Sequence, residues 1–103
     1  MQEKTLKEKI FEIVNLVPAG KVIYYGQVAE LVGASAQVVG WILSGMKEEE
    51  YDKTPWHRVV AKTGYISTLK LGYKGMLQIQ LLRNEEVEIK EDFIDMKKFG
   101  FFF

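Results

Sequence analysis

Apolar residues recur at Leu6, Ile10, Ile13, Val14 and Val17, a three-and-four spacing that places them on one face of a helix. Just ahead, Thr5-Leu6-Lys7-Glu8 has the form of a capping box, in which a hydroxyl and a carboxylate satisfy free amides at the helix start. Pro18-Ala19-Gly20 ends the pattern, and Val22-Ile23-Tyr24-Tyr25 runs extended into the next element. A short helix follows over Gly26 to Val32, with Val28, Leu31 and Val32 turned inward. Gly33 supplies a turn, and Ser35 caps a second helix from Ala36 to about Met46 that packs through Val39, Ile42, Leu43 and Met46. Its other face offers Gln37, Trp41 and Ser44, while Gly40 leaves room for close backbone approach. Helix, glycine turn and capped helix together predict a helix-turn-helix.

Beyond it, Lys47 to Thr54 reads as a solvated charged loop. Val59-Val60-Ala61 and Tyr65-Ile66-Ser67, flanking Thr63-Gly64, predict a short hairpin. Gly72 opens a further helix through Asn84, with Met76, Ile79, Leu81 and Leu82 apolar. The tail alternates Val87, Ile89, Phe93, Ile94, Met96 and Phe99, and Phe101-Phe102-Phe103 predicts a terminus folded back onto apolar surface, with a partner-docking tail as the alternative. The expected fold is mainly α with a small β-hairpin, a winged-helix-like helix-turn-helix in one domain over residues 1–103.

Composition narrows the function classes. With 48% hydrophobic and 27% charged residues the chain suits a soluble globular domain, and it contains no long apolar run for a membrane span. The polar start Met1-Gln2-Glu3-Lys4-Thr5 is unlike a secretory signal, so the cytoplasm is expected, or a nucleus if there is one. The absence of cysteine excludes a disulfide framework, a thiolate metal site and a thiol nucleophile. A net charge of zero means that any nucleic-acid binding must use a local basic face.

The densest chemistry lies in Pro55-Trp56-His57-Arg58-Val59-Val60, which holds one of two prolines, one of two tryptophans and the single histidine. From the residues alone this is either a buried turn with a satisfied His or the wall of a pocket. The stretch resembles the Pro-Cys-His-Arg-Val active-site motif of the DNA alkyltransferases that repair 6-O-alkylguanine, with Trp in place of the reactive Cys, the hallmark of the alkyltransferase-like proteins. Gly20-Lys21-Val22-Ile23-Tyr24-Tyr25-Gly26-Gln27-Val28-Ala29 is similar to that family's Gly-Lys-Val-x-x-Tyr-Gly-x-hydrophobic-Ala segment. Val39-Gly40 fits its recognition-helix signature, and Leu81-Leu82-Arg83-Asn84-Glu85 fits its Leu-Leu-x-x-Glu. The matches run in order over roughly residues 5–90.

The resemblance implies a non-enzymatic sensor: it binds double-stranded DNA at alkylated guanine, flips the base into a pocket, bends the DNA and marks it for nucleotide excision repair proteins. It acts as a monomer without cofactor or metal. Trp56 occupies the nucleophile's place, and indole does not serve as one, so transfer by the family mechanism is excluded. Trp56 could contact the alkylated purine or cap the pocket floor. Tyr25 matches the tyrosine that presses on the target's 3′ phosphate. His57 and Glu85 hold the loop in shape, and Pro55 and Arg58 support it. Gln37 stands where the family inserts an Arg into the gap left by the base, and lacks that planar cation. Leu69 is the nearest match to an Arg that many alkyltransferase-like proteins place near the lesion oxygen, and Trp41 is a candidate for compensating in the minor groove. Met46 stands where the alkyltransferases keep a loop-bracing Asn. Two other readings stay open: a helix-turn-helix regulator without lesion recognition, and an enzyme of another kind, such as a hydrolase, using His57.

Overall fold

In the computed structural model, which describes residues 3–103, Thr5 caps α1 (Leu6–Asn15). The Glu8 amide donates to the Thr5 hydroxyl at 3.1 Å, and the Thr5 amide donates to the Glu8 carboxylate at 3.0 Å. Met1 and Gln2, the first residues of the polar start, lie outside the described residues. Ile10 and Val14 form the buried stripe of α1, continued by Val17. After β1 (Ile23–Tyr24) come α2 (Tyr25–Val32) and α3 (Ala36–Ser44), joined through Gly33, with the Val38 amide donating to the Ser35 hydroxyl at 3.2 Å. The helix-turn-helix is thus in place. Its first helix buries Val28 and Ala29 rather than Leu31, which is 52% exposed.

The Lys47–Thr54 stretch is more ordered than a solvated loop. It contains α4 (Glu48–Tyr51), where the Glu50 carboxylate accepts from the Lys47 amide at 2.7 Å and pairs with Lys7 on α1 at 2.7 Å. A single 3-10 turn, Trp56–Arg58, then leads into β2 (Val59–Val60).

The mainly helical class with a two-stranded sheet holds, but the sheet is not the predicted hairpin. β1 and β2 pair in parallel, Ile23 opposite Val59 and Tyr24 opposite Val60. The Thr63-Gly64 turn does form, with the Gly64 amide on the Ala61 carbonyl at 2.8 Å and Ala61 on Tyr65 at 3.1 Å. Its returning arm turns elsewhere: Ile66 donates to the Asp92 carbonyl and Ile94 to that of Gly64. Gly64 has φ +91°, and a Cβ there would lie 2.1 Å from the Ile94 carbonyl oxygen. The reason is burial. Val59 and Val60 are both covered, as a parallel strand between two apolar layers requires, whereas a hairpin would show alternation.

A second 3-10 turn, Ser67–Leu71, precedes α5 (Tyr73–Asn84), and a last short helix is α6 (Met96–Phe99). α5 buries Gly75, Gln78 and Leu82, and leaves Met76 outside. Gly75 marks a close approach, since a Cβ there would sit 2.5 Å from the Leu69 Cα.

The core has two parts. Ile10, Val14, Val28, Val39, Leu43, Trp56 and Val59 fill the space between α1, α2 and α3. Val22, Val60, Ile66, Leu82, Val87, Ile94 and Phe99 fill the space beneath α5. The tail joins them: Val22 donates to the Phe99 carbonyl at 2.9 Å and Phe101 to that of Val22 at 2.8 Å. Phe101 folds back as expected, while Phe102 and Phe103 remain exposed. Among the described residues no helix is long and apolar enough to cross a membrane.

Candidate nucleic-acid interface

Pro55, at φ −77°, leads the chain into the 3-10 turn and seats Trp56 with only 5% of its surface exposed. The indole packs edge-on against Tyr51 of α4, ring centroids 5.8 Å apart at 90°. Trp56 belongs to the core and also lines a cleft of about 450 Å³ between α3, the Ser67–Leu71 turn and the start of α5. That volume lies within the range of small-ligand sites, roughly 300–1,000 Å³.

Of the residues singled out from sequence, Tyr25, Gln37, Gly40 and Trp56 converge on this cleft. Tyr25 opens α2 and is half-buried. Burial pushes its hydroxyl above the ordinary tyrosine range, and a hydrogen bond with Ser67 acts in the opposite direction. Gln37 is exposed on the first turn of α3. A Cβ on Gly40 would meet nothing within 4 Å, so the room there faces outward to whatever docks.

Two candidates fall outside it. Trp41 shares α3 but is 63% exposed and is not part of the cleft wall. Leu69 packs against the second core layer beneath α5, which follows from the close contact of its backbone with Gly75. Its chain neighbours Thr68 and Lys70 line the cleft instead.

Behind Trp56, the motif is stapled by one carboxylate. Glu85, at the C-terminal end of α5, accepts from His57 Nε2 at 2.8 Å, from Arg58 Nη2 at 2.7 Å and Nε at 3.0 Å, and from the Gly20 amide at 3.3 Å. Arg58 Nη1 also donates to the Val17 carbonyl at 2.8 Å. The loop, the α1–β1 turn and the end of α5 are thereby joined at a single point. Burial alone would raise the Glu85 pKa, but the donors from Arg58 and His57 outweigh it and hold the group at about 2. Burial pushes His57 below its usual range despite the facing carboxylate. A neutral imidazole donating to an ionised Glu85 is the resulting state. It serves as a bracket.

Sequence reasoning missed Gln78, which is 1% exposed on α5. Its Nε2 donates to the His57 and Val59 carbonyls at 2.9 and 3.0 Å, and its Oε1 accepts from the Thr68 hydroxyl. The loop-bracing amide therefore comes from α5, while Met46 is simply core. An amide three residues after Gly75 and four before Leu82, on the helix's buried face, was the available signal.

Lys70 and Lys74 line the cleft, and Lys62 lies close by beside Tyr25 and Ala36. The cleft wall carries no Asp or Glu. A chain of zero net charge thus places Lys70 and Lys74 on an acid-free wall beside α3, while Lys62 shares its neighbouring hollow with Glu30. Among the described residues no cluster of three His, Asp or Glu could hold a metal ion.

The sequence model of the 6-O-methylguanine DNA methyltransferase DNA-binding domain matches residues 5–87. The DNA base-flipping protein of Escherichia coli is 38% identical over 68 residues, 64% of this chain and 51% of that protein. Alkyltransferase-like protein 1 of Schizosaccharomyces pombe is 35% identical over 83 residues, 79% of this chain and 75% of that protein. The chain thus spans about half the length of the E. coli relative and three quarters of the yeast one. The crystal structure of S. pombe Atl1 in complex with damaged DNA containing O6-carboxymethylguanine matches with a TM-score of 0.85 at 28% identity, covering 99% of both chains. A methyltransferase from Mycobacterium tuberculosis, 23% identical with a TM-score of 0.62, shares the fold.

Proposed function

The chain belongs to the family of 6-O-methylguanine DNA methyltransferase DNA-binding domains, and from that premise we propose that it recognises alkylated guanine in duplex DNA by flipping the base out and holding it without dealkylating it. The observation that carries the reading is Trp56, a buried indole that lines the cleft and stands in the motif where the alkyltransferases keep their cysteine.

Each part of the task has a residue suited to it. α3 lies along the DNA, with Gly40 allowing the backbone close. Turning a base out of the stack costs a few kcal/mol, less for a poorly paired base, so damage itself favours capture. Tyr25, braced by Ser67, presses on the phosphate beside the target, and Gln37 hydrogen-bonds the orphaned partner base. The flipped purine then lies against Trp56, whose apolar face replaces the lost stacking. Lys62 and Lys70, both exposed, neutralise nearby phosphates.

No group in the cleft is an activated nucleophile. The His57–Glu85 pair has the form that orients a general base, but the chain has no thiol for it to activate and Trp56 stands at the nucleophile's place. The protein is therefore a binder and not an enzyme. It works as a monomer, in the cytoplasm or a nucleus, and leaves the lesion exposed to nucleotide excision repair proteins. Binding to matched duplexes with and without one 6-O-methylguanine tests recognition, and intact mass spectrometry afterwards tests the absence of transfer. A protein heavier by one methyl group would overturn the second half.

A further inference from the structure

Resting on the lesion-binding reading above, we propose that the cleft favours guanines whose 6-O substituent carries a negative charge, such as carboxymethyl, over neutral substituents of the same size. The argument begins with the shape of a flipped purine. Its sugar stays with the DNA backbone at the mouth, beside Tyr25 and Gln37, so the ring edge across from the glycosidic bond enters first. That edge carries position 6, and a substituent on its oxygen is directed to the stretch of wall formed by Trp56, which lines the cleft.

Beside Trp56 the structure places a fixed cation. Lys74 is half-buried, with Nζ 5.1 Å from the Trp56 ring centroid and 5.4 Å from that of Tyr51, and it donates to the Tyr51 hydroxyl at 3.3 Å. A lysine on the surface must lose the freedom of its four-carbon stem to meet a ligand. Here the Trp56 ring and the Tyr51 hydroxyl already hold the ammonium in place. Lys74 makes no ion pair with any described carboxylate. Lys70 adds a second positive charge on the same wall, and no acid lines the cleft to cancel either. A carboxylate on the lesion would supply the missing counter-ion. A neutral substituent of equal volume fills the same space without using the field.

The test is competition fluorescence anisotropy on one duplex sequence carrying guanine, 6-O-methylguanine, 6-O-carboxymethylguanine or its neutral isostere, 6-O-carbamoylmethylguanine. The partly solvated pair should favour carboxymethyl over carbamoylmethyl by about five- to tenfold at low salt, and less as salt rises. In Lys74→Met, which keeps the stem over the rings, that ratio should fall to about twofold or less, and Lys74→Arg should retain it. Comparing two lesions in one duplex cancels any general loss of phosphate attraction. Circular dichroism checks that each variant is folded. A wild-type ratio near one overturns the inference, as does a ratio that survives in Lys74→Met. If Lys74→Met does not fold, Lys70→Met and the salt dependence of the wild-type ratio decide in its place. Failure of the parent reading looks different: guanine and 6-O-methylguanine would bind alike.

Discussion

Replacing Glu85 with Gln should change how stability responds to pH, and the structure gives the size of the change. Folded Glu85 titrates at about 2 against an ordinary 4.5, so the fold prefers the ionised form by about 3 kcal/mol. Its side chain is 16% exposed, and water reaching it reduces that to about 2 kcal/mol. Because the folded pKa is depressed, this stability is fully present above pH 4.5 and is lost as pH falls from there toward 2. His57 contributes with the same sign. The fold keeps it neutral, so stability declines as pH falls below 6.5, where the unfolded chain takes up the proton first. Glu85→Gln leaves Arg58 and His57 facing an amide, should cost about 2 kcal/mol at pH 7, and should flatten the profile between pH 4.5 and 2. Urea denaturation followed by tryptophan fluorescence at several pH values measures both effects. A Glu85→Gln profile parallel to that of wild type through this window would refute the argument that the carboxylate is the bracket.

Three further changes test the surrounding framework. Gln78→Leu keeps the volume but leaves the His57 and Val59 carbonyls and the Thr68 hydroxyl without their partner, so it should destabilise by about 2–4 kcal/mol; an unchanged urea midpoint would contradict this. Gly75→Ala drives a methyl into the Leu69 backbone at 2.5 Å and should cost at least about 2 kcal/mol despite alanine's higher helix propensity, read as a fall in melting temperature. Gln37→Arg restores a cation at the cleft mouth, so lesion binding should tighten by about 1–2 kcal/mol and the slope of log affinity against log salt should steepen by up to about one unit. If neither moves, residue 37 does not enter the DNA.

What could be read from sequence divides along a physical line. α1, α2 and α3 were legible because each announces itself locally: Thr5 and Ser35 cap, Gly33 turns, and Val28, Val39 and Leu43 recur at helical spacing. The 55–60 motif was legible because Pro, Trp, His and Arg in sequence are rare chemistry, and its bracket to Glu85 is present at 2.7–2.8 Å. The strand pairing was not legible. β1 and β2 are two residues each and pair in parallel across 36 positions, a register set by the apolar layers on either side rather than by any turn. Gln78 and Lys74 escaped notice for a related reason. Their roles depend on which face of α5 meets the motif, and α5 is apolar on both faces, with Gly75 and Leu82 inside and Tyr73 and Met76 outside. Leu69 shows the limit of alignment, since it occupies the matching position but points into the core.

The central claim is recognition of a damaged base, and one comparison tests it most directly: the affinities of this protein for two duplexes identical except for a single guanine or 6-O-methylguanine. Because alkylation weakens pairing and lowers the cost of turning the base toward Trp56, the account predicts that the damaged duplex binds at least about tenfold more tightly at moderate salt. Binding of the two duplexes within about twofold of each other would contradict it, leaving a helix-turn-helix that holds DNA through α3 and the nearby Lys62 and Lys70 without reading the lesion.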